Sequence, residues 1–211
     1  MDSVFNGWPE DFQRFFIGLE LDNSKRYFDA NRGVYEKAVR GPMEALVASL
    51  EPDFGPGKVF RINRDIRFSA DKSPYKTNIA ATVGMGDRGG YLSLDARGFT
   101  VASGRYELDA EHLPRYREAV VTEGPGDELM AIVGELEAQG YQVGGEDLKR
   151  VPAGYPKDHP RGRLLRHKRV YAWKSFGLQP WLGSAEAKDQ VLAAWRHAEP
   201  LNAWFRTNLD G

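Results

Sequence analysis

Residues Phe60–Thr77 read FRINRDIRFSADKSPYKT, and how this stretch folds decides how the middle of the chain is built. In an extended chain alternate side chains share a face, so Phe60, Ile62, Ile66 and Phe68 line one side with Arg64 set in the middle of the apolar stripe. The other side carries Arg61, Asn63, Asp65, Arg67 and Ser69. This alternation predicts a strand over Lys58–Phe68, and a bulge near Asn63 would exchange the faces of its later half. Between Lys58 and Lys76 the cations are Lys58, Arg61, Arg64, Arg67, Lys72 and Lys76, against only Asp65 and Asp71. A guanidinium stays charged at ordinary pH, so Arg64 within an apolar face requires a carboxylate, a carbonyl or a bound anion. It is either a structural ion pair or a binding residue.

Outward from this stretch the pattern is regular. Further strand patterns fall at Ile79–Val83, Tyr91–Asp95 and Phe99–Ser103, and their short connections predict antiparallel pairing. Upstream, Pro9, Glu10 and Asp11 open a helix whose apolar face is Phe12, Phe15, Phe16 and Leu19. Asp22, Asn23 or Ser24 caps a second helix with Phe28, Asn31, Tyr35, Ala38 and Val39 on one face, and Pro42 starts a third. Downstream, helices are expected over Ala110–Val121 and Gly126–Gln139, a short extended piece at Tyr141–Val143, a helical turn over Arg161–His167 and a strand over Arg169–Lys174. A last helix runs from Ser184 to about Leu209, kinked at Pro200. The expectation is an α+β fold, with a central, mainly antiparallel sheet flanked by N-terminal and C-terminal helices. Residues 1–211 read as a single domain, helical over about 1–51, strand-rich over about 58–106 and mixed over 107–211.

The 29 basic and 30 acidic residues give a net charge of −1, and 25 aromatics argue against disorder. With no cysteine, disulfides, thiolate nucleophiles and cysteine-bound metals are excluded. The four histidines, His112, His159, His167 and His197, have no metal-ligand spacing, so neither metal nor cofactor is expected. The N-terminus lacks a basic region followed by an apolar run, and no apolar stretch has membrane-spanning length, so a cytoplasmic protein is expected. The near-neutral total conceals an asymmetry. Nine cations lie between Lys149 and Lys174, opposed by Asp158 alone.

Two short motifs fail on context. Gly84-Met-Gly86-Asp-Arg-Gly89 matches G-x-G-x-x-G, but a strand pattern follows where a dinucleotide site needs a helix, so a hairpin turn is expected. Ser69-Ala-Asp-Lys72 matches the S-x-x-K of penicillin-binding enzymes. Pro74 follows closely and neither partner motif appears, so Ser69 and Asp71 are read as turn residues.

The central motif, with NSKRYFDANRGVYE upstream and PAGYPKDHP and LLRHK downstream, resembles a widespread family of conserved hypothetical proteins classed as a domain of unknown function. The resemblance covers about Phe5 to Lys174 and extends into the last helix. It implies that Asn23, Arg26, Phe28, Asn31 and Tyr35 match a helical motif. Arg61, Arg64, Asp65, Arg67, Phe68, Ser69, Asp71, Lys72, Pro74, Tyr75 and Lys76 match the central one. It implies no reaction. Many relatives place a glycine-rich turn before Tyr-x-Pro, where this chain has Ala102-Ser-Gly-Arg-Tyr106-Glu-Leu108.

The function expected first is binding of a small anionic ligand, bearing phosphate or carboxylate, in a basic cleft. Arg61, Arg64 and Arg67 would hold charge, Asp65 would orient an arginine, and Ser69, Lys72, Tyr75 and Lys76 would add donors. Arg163, Arg166, Lys168 and Arg169 are the candidates for a second wall. The alternative is a non-catalytic protein or nucleic-acid interaction module using residues 149–174, where Tyr155, Tyr171 and Trp173 lie among the cations. A purely structural role for the signature is the third reading. The sequence names neither a nucleophile nor an oligomeric state.

Overall fold

A computed structural model describes residues 4–65, 67, 71–84, 89–145 and 147–210. The chain opens with α1 (Asp11–Leu21) and α2 (Lys25–Val34), a π-helical turn over Tyr35–Arg40, and α3 (Gly41–Phe54). Ser24 is the N-cap of α2, its hydroxyl accepting from Tyr27 N at 3.1 Å. The second and third helices predicted as separate pieces are one continuous run. The wider π turn closes with Gly41 N donating to Glu36 O, immediately before Pro42, which has no N–H to donate.

Among the described residues six strands follow the order β1-β2-β3-β4-β6-β5, where β1 is Gly57–Val59, β2 Asn78–Val83, β3 Gly90–Asp95, β4 Gly98–Arg105, β5 Gln142–Gly144 and β6 Val170–Gly177. The pairs β1–β2, β2–β3 and β5–β6 are antiparallel, with Lys58 opposite Thr82, Ala81 opposite Leu92 and Val143 opposite Ala172. Between β4 and β6 come α4 (His112–Val121), α5 (Glu123–Ala138) and the short α6 (Gly162–Leu165). A 3₁₀ turn (Pro180–Gly183) then leads into α7 (Glu186–Leu209), which contains Pro200. The architecture is α+β, as the strand and helix patterns require. Val83 pairs with Gly90 across the glycine-rich segment, so that segment joins antiparallel strands; the residues 85–88 at its centre lie outside those described.

One prediction is corrected. Among the described residues the strand expected over Lys58–Phe68 ends at Val59; Phe60 N still reaches Ala80 O at 2.8 Å, and beyond it the described residues keep an isolated bridge, Asn63 to Tyr75. Local carboxylates outcompete the ladder. Asp65 accepts from Arg67 N at 3.2 Å and Asp71 from Ser73 N at 2.9 Å, bonds that fold the backbone back on itself. Ile62 is buried between exposed Arg61 and Asn63, so the alternation holds that far; Ile66 and Phe68 lie outside the described residues.

The described residues divide into two units: 4–84, 89–101 and 175–193 in one, 102–174 and 194–210 in the other. The first is built on aromatics, with Phe12, Phe15, Phe16 and Leu19 of α1 buried and Phe15 packed on Phe28 and Tyr35. The second buries Tyr116, Val120, Leu129 and Val133 with Leu201, Trp204 and Phe205 of α7. Its ties include Trp204 Nε1 donating to Pro125 O at 2.8 Å and Trp195 Nε1 to Ala102 O at 3.2 Å. No helix among the described residues is long and apolar enough to cross a membrane.

Candidate functional site

In the first unit, the segment that departs from the sheet is closed at its base. Arg64 N donates to Pro74 O at 2.9 Å and Lys76 N to Ile62 O at 2.8 Å. Asn23, one residue before the cap of α2, grips the closing residue on both backbone groups. Its Nδ2 donates to Tyr75 O and its Oδ1 accepts from Tyr75 N, each at 3.0 Å. The side chain thereby stands in for a neighbouring strand. Tyr75 itself is 6% exposed and stacks on Phe28 with ring centroids 4.4 Å apart and planes 16° apart. Phe28 meets Tyr35 at 5.3 Å and carries the Arg32 guanidinium 5.1 Å above its ring. Burial pushes the Tyr35 phenol up to about 12, with nearby Arg40 opposing, so it stays neutral at physiological pH.

Both carboxylates of the segment are engaged by its own arginines. Arg67 forks onto Asp65, with Nε to Oδ1 at 3.0 Å and Nη2 to Oδ2 at 2.6 Å, although the arginine side chain is largely exposed. Arg64 is more enclosed, its side chain 29% exposed; Nη1 pairs with Asp71 and Nη2 lies 3.5 Å from Tyr75 O. Its Nε–H is buried and has no hydrogen-bond partner among the described residues. Arg61 is exposed, and its carbonyl accepts from Lys76 Nζ at 3.2 Å, with that ammonium 6.0 Å over the Phe60 ring. Lys72 is exposed, and Ser69 lies outside the described residues.

These contacts set the pH behaviour. The Arg67 hydrogen bonds hold Asp65 below the usual carboxylate range; for Asp71 the Ser73 backbone and side chain do most of this, with Arg64 adding to it. A folded-state value below the unfolded one makes a contribution that is complete above the unfolded carboxylate range and is lost as pH falls through the folded value. The melting temperatures of wild type and Asp71→Asn, separated at pH 7, should therefore converge as the buffer is taken below pH 4. A constant separation from pH 7 to pH 3 would refute the assignment.

Of the candidates in the second unit, Arg163 pairs with Glu137 and donates to Val143 O at 3.1 Å. Neighbouring Arg161 donates to the C-terminal carbonyl of Val120 in α4 at 2.9 Å and to Asp127 at 2.5 Å. Arg166 is half-buried and its carbonyl accepts from Leu148 N at 2.8 Å; Lys168 is also half-buried. Arg169 lies over the Tyr106 ring at 4.6 Å, with Nη1 3.3 Å from the Tyr106 hydroxyl.

Spacing missed one pair. His167, 1% exposed, has Nδ1 at 2.5 Å from Asp147 Oδ1, while its Nε2 is buried without a partner among the described residues. The carboxylate selects the tautomer with hydrogen on Nδ1. An isolated bridge between Asp147 and His167, with Leu148 N donating to Arg166 O beside it, brings the two together across twenty positions, so no local pattern announces them. Asp147→Ala strands that N–H in the interior and should cost about 1–3 kcal/mol in urea unfolding, with Asp147→Asn milder because it keeps an acceptor. Among the described residues no group of three or more His, Asp or Glu gathers as a metal site would require.

A family model described as Conserved hypothetical protein (DUF2461) matches residues 11–204, from the start of α1 into α7. The chain belongs to the DUF2461 family. Neither the curated proteins nor the solved structures give a match. The DUF2461 match includes the clasped segment, its Asn23 anchor and the His167–Asp147 pair. The family description names no reaction, so chemistry has to be argued from the side chains themselves.

Proposed function

We propose that this DUF2461 protein binds a small anionic ligand, bearing phosphate or carboxylate, at the Arg61–Lys76 segment, and that it does so in the cytoplasm. The observation that carries the reading is the Arg64 Nε–H, a buried donor on a permanent cation with no partner among the described residues. Leaving such a donor unmatched costs free energy that an anion's oxygen recovers on binding. Charge supports it. Asp65 and Asp71 are the only carboxylates between Lys58 and Lys76, a stretch that carries six cations, and they are held by Arg67 and Arg64 respectively. Asn23 and the Phe28–Tyr75 stack supply the rigid base such a site needs, while exposed Arg61 is placed to meet the ligand first.

Inorganic phosphate, pyrophosphate and citrate, each at millimolar concentration, are the probes. At least one should raise the wild-type melting temperature. Arg61→Ala should melt as wild type without probe and lose most of the rise. Arg64→Lys, which keeps the charge but removes the fork and its Nε–H, should lose it as well. No rise with any probe, or a full rise in both variants, would leave the segment with a structural role alone.

A further inference from the structure

Three aromatic rings in the second unit form a strip that the anion site does not use. Along β6, Val170 and Ala172 are buried while Tyr171 and Trp173 point to the opposite face, where both stay partly exposed. Their centroids are 5.3 Å apart. Tyr106, just beyond β4, continues the strip at 5.9 Å from Tyr171 and is 64% exposed, a large aromatic surface left in water. The Arg169 guanidinium rests on the Tyr106 ring, 4.6 Å from its centroid. Gly104 makes the arrangement feasible: with φ of +131° it lies so close to β6 that a Cβ would come within 2.6 Å of Tyr171 Cα.

We propose that this strip is a binding surface for single-stranded nucleic acid, on which bases stack against Tyr106, Tyr171 and Trp173 while neighbouring cations track the phosphates. Stacking on aromatic side chains beside a basic groove is how single strands are held without base-specific contacts. Charge complementarity argues for a polyanion rather than a neutral partner. Residues 149–174 carry nine cations and one carboxylate in sequence, of which Arg161 and Arg163 turn to Asp127 and Glu137 and Arg169 lies on the aromatic strip itself. Arg169 joins the two parts, since a guanidinium that stacks on a ring also pairs with phosphate. The surface lies outside the Arg61–Lys76 segment and stands or falls independently of it.

The test is fluorescence anisotropy with a labelled twelve-residue oligothymidylate, and the same strand annealed to its complement, at low and physiological salt. The single strand should bind more tightly than the duplex and weaken as salt rises, log K falling by about 0.7 per log unit of salt for each phosphate contacted. Tyr106→Ala should weaken binding about tenfold while melting as wild type, and Tyr106→Phe, which keeps the ring, should bind within about twofold of wild type. No binding at micromolar protein in 50 mM salt, equal affinity for duplex, or wild-type affinity in Tyr106→Ala would each overturn the proposal.

Discussion

Tyr75→Ala is expected to destabilise the protein by about 3–5 kcal/mol, the range for deleting a fully enclosed aromatic ring. The ring is 6% exposed, lies flat on Phe28 at 4.4 Å, and joins the central segment to α2. Its removal leaves a void between Phe28 and the segment, which neither the stiff helix nor the Asn23-clamped backbone can close. Urea unfolding should show an earlier midpoint with an unchanged slope. Asn23→Ala, which removes the partners of Tyr75 N and O, should move the midpoint the same way by about 1–3 kcal/mol. The pair should not be additive, because both variants loosen the same clamp. A loss under 1 kcal/mol in Tyr75→Ala would mean that the stack does not hold the segment.

Gly104→Ala is the second large effect, expected at about 2–6 kcal/mol from backbone strain together with overpacking. At φ of +131° a side chain is strained whatever the space around it, and here the new Cβ would also approach Val170 O at 2.7 Å and Tyr171 Cα at 2.6 Å. These neighbours are backbone and cannot move aside alone. β4 would have to withdraw from β6, so the variant should lose thermal stability and shift the fluorescence of Trp173 beside Tyr171. A variant that melts as wild type would show that the close approach of these strands is not required.

Much of the local structure could be read directly from the residues. The α1 face of Phe12, Phe15, Phe16 and Leu19, the face of Phe28 and Tyr35 running from α2 into the π turn, and strands β2 to β4 follow from periods of 3.6 and 2, which report burial without knowledge of the partner. The pairing of Asp65 with Arg67 is also local, since a single residue separates them. What misled was the apolar alternation of Phe60 to Phe68. Of its described residues Ile62 is buried outside any named strand, so apolar alternation alone does not distinguish a ladder from the turns closed by Asp65 and Asp71.

The residues around the candidate site divide in the same way. Arg64 stood out because a permanent charge in an apolar stripe demands a partner, yet the sequence could not say that the partner is Asp71 or that Nε–H is left over. Asn23 was legible as a helix-cap candidate and proved to be a clamp on Tyr75, 52 residues away. Tyr106 carried no pattern, and its meaning came from lying beside Tyr171 and Arg169.

The sequence by itself determined the α+β class, the amphipathic faces, the exclusion of cysteine chemistry and the two basic segments, because periodicity and composition are properties of neighbouring residues. Tertiary structure alone decided which carboxylate each arginine takes, that His167 is buried against Asp147, and that three rings line one face beside Gly104. Those outcomes depend on distances between segments far apart in the chain. They are fixed only when backbone pairing and packing bring the segments together, and no short-range pattern encodes them.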